Sequence, residues 1–272
     1  VRLFISALLS VGVQSVDAAF ESVAADTRSL AMGVAGVSCS GFTSGLFSNP
    51  SRAASMQTFS ISAGFTPAPF DIPELRTASV SITVPLFPGS LFAGFSSSGF
   101  DLYREHTFRV GFGASLSGSL DAGMNLTFYS LGIARYGHRL STGIDLGLRV
   151  RIGGRLILGF TACNVTGASA RDGGSDIPQV FAAGLSFRAS DDIAVVADVS
   201  KDLHFPADAG LGIEYAILGS FQLRAGISTS PSTMNGGAGI VTEILRIDYA
   251  VQIHPVLGPT HQIGVVLLPG AW

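Results

Sequence analysis

The sequence predicts an all-β fold, a transmembrane antiparallel β-barrel of about 14 strands. Three observations carry that expectation. The chain is 47% hydrophobic and only 13% charged, whereas soluble domains carry roughly 25% charged residues. After the first twenty residues no apolar run approaches the roughly 20 residues of a membrane helix, the best being short stretches such as "IAVVADV". Most of the chain alternates apolar with small or polar residues, the period of a strand with two unlike faces.

The first element is an address. "VRLFISALLSVGVQSVDAAF" has one cation, Arg2, a short apolar stretch from Leu3 to Val13, and small residues at Val16 and Ala18. The stretch is too short to span a bilayer, and the pattern predicts a secretory signal peptide over 1–18, cleaved after Ala18. Residues 26–56, "DTRSLAMGVAGVSCSGFTSGLFSNPSRAASM", are rich in small residues and do not alternate. Asn49-Pro50 predicts a short helix from Ser51 to Met56.

From about Thr58 onward, alternating segments are punctuated by Gly, Pro, Asn, Asp and Ser turns, as in antiparallel hairpins. Strands are expected at 57–67, 76–87, 90–99, 104–117, 119–134, 141–151, 154–165, 178–189, 191–200, 207–217, 219–229, 235–243, 244–254 and 260–268. Each is close to the 9 to 11 residues that a tilted membrane strand needs.

The stretch "STGIDLGLRVRIGG" shows the two faces: Ile144, Leu146, Leu148 and Val150 against Asp145, Gly147, Arg149 and Arg151. Likewise Leu211, Ile213 and Tyr215 oppose Gly210, Gly212 and Glu214, and Leu245, Ile247, Tyr249 and Val251 oppose Arg246 and Asp248. A soluble sandwich would bury the apolar faces and wet outer faces rich in Lys, Glu and Thr. Here the polar face is rich in glycine, and Lys201 is the only lysine in the chain. A closed barrel with its apolar face toward lipid leaves no sheet edge, which places the charges inside.

The inward candidates are Arg109, Asp121, Asp145, Arg149, Arg151, Asp198, Glu214, Arg224, Arg246 and Asp248. They could line a path or bind an anionic headgroup, for which the arginine fork is suited. Alternatively they pair with one another, because an unpaired charge in a confined interior is costly; pairing is the favoured reading. The five histidines lack metal spacing and are expected at turns, rim or lumen. Cys39 and Cys163 have no metal or redox spacing, and the sequence leaves open whether they bond. "GFTSG" at 41–45 lacks the order of a nucleophile elbow. No catalytic set or cofactor site emerges, and a net charge of -3 without a basic block gives no sign of a nucleic-acid partner.

Arg28, Met32, Gly33, Ala35 and Val37, followed by Phe47, Asn49 and Pro50, resemble the opening of FadL-like outer-membrane barrels, particularly their PorV-like branch. Ser51 and Arg52 depart from the Ala-Gly usual there. The end of the chain, "LRIDYAVQIHPVLGPTHQIGVVL", is similar to the same family. The resemblance implies an N-terminal segment, 19–56, folded into the lumen as a hatch that includes Arg28, Phe47, Asn49 and Pro50, followed by a barrel over 57–272. It implies location in a bacterial outer membrane, among its lipids, and passive transport of small hydrophobic or amphipathic compounds. In the PorV-like branch it implies instead a partner or shuttle role toward a secreted protein. The short chain leaves little for long external loops. Trp272 at the end is expected to anchor at an interface.

Overall fold

A computed structural model describes residues 19–20, 26–39, 46–169 and 177–269. The expected signal peptide, the 41–45 stretch and Trp272 lie outside the described residues.

Fourteen strands follow in order: β1 (Ser60–Thr66), β2 (Thr77–Leu86), β3 (Gly89–Phe100), β4 (Tyr103–Ser115), β5 (Leu120–Ile133), β6 (Gly137–Ile152), β7 (Leu156–Cys163), β8 (Val180–Arg188), β9 (Ile193–Asp202), β10 (Asp208–Ile217), β11 (Phe221–Thr229), β12 (Ser232–Val241), β13 (Leu245–His254) and β14 (Gly258–Leu267). Each pairs antiparallel with its sequence neighbours, and β1 closes the barrel on β14 with Ile61 opposite Leu267 and Phe65 opposite Ile263. Closure satisfies the ladder groups of the first and last strands, so no edge remains for another chain to extend.

The strand count agrees with the sequence expectation, and the boundaries move for local reasons. β1 starts at Ser60 because the residues before it form a 3₁₀ turn, Pro50–Ser55, and Met56, whose carbonyl accepts from the Ser90 hydroxyl. β6 begins at Gly137 because His138 pairs with Gly132 above the expected rim. β12 begins at Ser232 because Ser230 and Pro231 alone form the turn, with Thr229 opposite Ser232.

The alternation resolves as one apolar outer wall and one polar inner wall. On β6, Leu146 and Leu148 are 44% and 45% exposed, whereas Asp145 and Arg149 are 2% and 1% exposed. On β13, Ile247 and Tyr249 stand outward while Arg246 and Asp248 are buried. An outer wall of this kind in water would forgo about 1.5–3 kcal/mol for each large apolar side chain left unburied. Two histidines, His106 and His261, stand on this outer wall rather than at a turn or in the lumen, stacked on Phe95 and Tyr249.

Connections alternate between two ends. The links after the even strands are tight turns. The other end carries the longer links, including 67–76 with its two 3₁₀ turns and the stretch between Cys163 and Val180.

Residues 26–39 and 46–56 pack on the polar inner faces. The helix α1 (Thr27–Ala31) lies against β11 to β14, and the Pro50–Ser55 turn against β3 to β6. Small residues make this approach feasible. A Cβ on Gly123 would lie 2.4 Å from the Pro50 carbonyl carbon, one on Gly147 2.1 Å from Asn49 Oδ1, and one on Gly226 2.3 Å from the Gly33 nitrogen. Gly33 itself adopts φ +70 with the Ile227 carbonyl oxygen 2.3 Å from where a Cβ would stand, so only glycine fits there.

Candidate functional site

Nine of the ten charged candidates fall into three groups. In the largest, Arg28 from α1 meets Glu214 on β10 at 2.8 Å through two parallel hydrogen bonds. Glu214 also accepts from Arg224 on β11 at 2.7 Å. Arg224 reaches Asp248 on β13 at 2.8 Å, and Asp248 pairs with Arg246 on its own strand. The reach from β11 to β13 passes over β12 at Gly239, where a Cβ would stand 2.4 Å from Asp248 Oδ1 and 2.9 Å from Arg224 Nη2. Signs alternate along this chain of five, so each carboxylate sits between two guanidinium groups, which is what their desolvation demands.

In the second group Asp121 on β5 accepts from Arg149 at 3.0 Å and from Arg151, both on β6. Arg149 also donates to the Cys39 carbonyl and the Ser55 hydroxyl, tying the N-terminal segment to this wall. In the third, Arg109 on β4 lies 3.6 Å from Asp145 and 5.2 Å from the centroid of the Phe47 ring, which meets Phe92 edge-on. Asp145 also accepts from the Thr127 hydroxyl and the Asn164 backbone.

Asp198 on β9 stands apart from these ion pairs. Its Oδ2 accepts from the consecutive Gly36 and Val37 backbone N–H groups at 2.6 and 2.8 Å, a small anion-holding nest that fastens the segment's middle. Asn49 joins two parts of the segment: its amide donates to the Val37 carbonyl at 2.8 Å while its oxygen caps Ser51 N at 3.0 Å. Pro50 takes the first position of the turn, where a missing N–H costs nothing. Asp26 caps α1 and faces Arg52 at 3.5 Å. Burial alone would raise the Asp26 carboxyl, but Arg52 and Arg28 hold it below its ordinary value. Burial pushes the Cys39 thiol up. Neither Cys39 nor Cys163 is in a disulfide.

Of the apolar clusters on the inner wall, one lies at the end of β5. Tyr129 on β5, 5% exposed, meets the Phe20 ring edge-on with centroids 5.1 Å apart, and Ile177, Leu131 and Ala168 complete the patch. Asn164 builds its outer side: its amide donates to the Ala168 and Ile177 carbonyls at 3.1 Å each, while its oxygen accepts from Ala168 N. The patch lies at the end of the barrel that carries the longer links, since Tyr129 is close to the end of β5.

The structure therefore brings the ten charged candidates onto the inner wall, nine of them in ion pairs and Asp198 on backbone amides. Sequence reasoning missed Asp26, Arg52, Glu105, Tyr129 and Asn164. Glu105 and Tyr129 share the parity of Arg109 and Asp121 on their strands, a signal that was available. Asn164 lies past a strand end, where parity says nothing.

No protein-family profile matches the chain, and no curated protein matches it. Solved structures do. The "CymD monoaromatic hydrocarbon channel" aligns with a TM-score of 0.70 at 14% identity over 92% of this chain and 99% of that one. The Pseudomonas putida toluene transporter TodX aligns at 0.61 and 14% over 88% and 95%. A Pseudomonas aeruginosa FadL homologue aligns at 0.61 and 12% over 89% and 98%. At such identities the likeness speaks for architecture: this chain has the closed 14-stranded antiparallel barrel of the FadL type.

Proposed function

We propose that the chain is an outer-membrane barrel through which small hydrophobic or amphipathic compounds pass without catalysis, with residues 19–56 as its hatch. The observation that carries this reading is the apolar patch around Tyr129 on the inner wall, at the end with the longer links. With Phe20 displaced from Tyr129, such a patch would offer burial to an apolar solute and little to a sugar or an ion. The paired interior charges support the same reading, since their forks are engaged with one another and with the hatch rather than set out for an anionic solute. The solved channels of like architecture, named for monoaromatic hydrocarbons and toluene, support the solute class. The outer location rests on the apolar outer wall and on those neighbours. The likeness of Arg28, Met32, Gly33, Ala35 and Val37 to the PorV-like branch is the one observation that favours a secretion-partner role instead.

The test is uptake of labelled toluene and glucose by Gram-negative cells expressing the barrel, whose lipopolysaccharide leaflet slows apolar solutes, against cells without it. Toluene uptake above that of the cells without the barrel, cut roughly tenfold by Tyr129→Asp in a barrel that still shifts on boiling, is the expected result. Toluene uptake equal to theirs overturns the reading. Co-purification of an exported protein with that non-conducting barrel would replace it with a secretion-partner role.

A further inference from the structure

Two arginines stand side by side at the short-turn end of the barrel. Arg155 closes the turn between β6 and β7, and Arg188 ends β8. The Arg188 N–H donates to the Arg155 carbonyl at 2.8 Å, which sets the two residues opposite each other on neighbouring strands. Like charges so placed repel. Arg149, Arg151 and Arg224 are each engaged by a carboxylate. Among the described residues, by contrast, neither the Arg155 nor the Arg188 side chain enters an ion pair or a hydrogen bond.

Both arginines line a groove of about 590 Å³ together with Ile152, Leu156, Phe187 and Asp191. Ile152 is opposite Leu156 and Leu156 opposite Phe187, so the three make one row on one face of the sheet. That face is the outer wall, because Ile152 shares the parity of Leu146 and Leu148 on β6. The next row, about 7 Å further along the strands, is Val150, Leu158 and Leu185, apolar again. The groove therefore joins a cationic rim to the apolar wall that faces lipid.

Its charge suits one kind of occupant. Two guanidinium groups and the Asp191 carboxylate leave one net positive charge, and a phosphodiester carries one negative charge on oxygens that match the arginine fork. A free phosphate would use the arginines and leave the apolar row idle. The pair is also local: the short turns at 87–88, 116–119, 218–220 and 242–244 carry no cation. In outer-membrane barrels such short turns lie at the periplasmic interface, the level of that leaflet's headgroups.

We propose that this groove is a binding site for one phospholipid, its phosphodiester between Arg155 and Arg188 and its acyl chains on the rows that begin at Ile152, Leu156 and Phe187. The proposal rests on the membrane reading above and adds to it a lipid site at a fixed place on the wall.

The experiment takes the whole barrel from the membrane fraction into detergent, freed of lipid, and titrates it with phosphatidylethanolamine while native mass spectrometry counts bound lipid. One lipid should bind at least about tenfold more tightly than a diacylglycerol with the same chains, as expected where a charged group accepts the hydrogen bonds. Arg155→Gln combined with Arg188→Gln, in a barrel that still shifts on boiling, should remove that preference. Arg76→Gln, which deletes an exposed cation at the other end, should leave it intact. Equal binding of the two lipids overturns the proposal, as does a double variant that binds like the wild type. Should the double variant not fold, the wild-type comparison of the two lipids decides. Inorganic phosphate that displaces the lipid at equal concentration would make the groove a site for a free anion and also overturn it. A barrel absent from the membrane fraction would sink the membrane reading, whereas a membrane barrel without the headgroup preference sinks this inference alone.

Discussion

On β10, β11 and β13 the N-terminal segment is held by Arg28, the end of a chain of five alternating charges. On β4, β5 and β6 it is held by Asn49, Pro50 and Ser51 set into the space left by Gly113, Gly123 and Gly147. Both sides seat the same segment, and both set it on glycines, since Gly226 backs Gly33 on the first wall as Gly123 backs Pro50 on the second. What differs is the reach of the charges: on the first wall five are linked across three strands and the segment, whereas on the second Arg149 alone donates to the segment, at Cys39 and Ser55. Deleting a charge should therefore loosen the first wall more widely than the second.

The largest effect should come from Arg224→Met. It removes the guanidinium shared by Glu214 and Asp248 and should cost about 3 kcal/mol, the low end for a broken buried pair because each carboxylate keeps one cation. Chemical unfolding in detergent would measure it, with faster trypsin cleavage after Arg28 and Arg52 as a second readout. An unchanged midpoint would mean the chain of charges is ornamental. Next comes Gly123→Val, expected to cost about 1–3 kcal/mol by overpacking against Pro50. Its signature is local: cleavage after Arg52 should accelerate more than cleavage after Arg28, and equal acceleration would erase the distinction between the walls. Asn49→Ala should cost about 1 kcal/mol, through the lost cap and the lost tie to Val37, read from amide exchange of residues 36–39 and 50–53.

The smallest effect is one of pH. The Asp26 carboxyl is held below its ordinary value, so the stability it lends is present above the unfolded carboxylate range and is lost as pH falls through the depressed folded value. Seating of α1 should therefore hold steady from pH 8 to pH 5 and weaken below about pH 4. Asp26→Asn should flatten the loss; a loss of the same size in that variant would assign the acid sensitivity to another carboxylate.

The walls of the barrel were legible because period-two alternation is a local property: Leu148 and Arg149 reveal their faces to anyone reading every second residue. The partners of the charges were not. Arg224 meets Asp248 across an intervening strand, which depends on Gly239 being opposite, and no reading of one strand contains that fact. The patch around Tyr129 was hidden for the same reason, since Phe20 and Ile177 come to β5 from distant parts of the chain.

The account turns on which face meets lipid. Single nitroxide labels placed at Leu148, Leu211 and Ile247 in the reconstituted barrel, compared with one at Ser79 on the inner wall of β2, test it most directly. The three outer labels should collide with oxygen, which dissolves in the bilayer, more often than with a water-soluble nickel chelate, and the Ser79 label should not. Outer labels that all favour the chelate would contradict the barrel as a membrane-spanning wall and, with it, everything inferred about what its interior does.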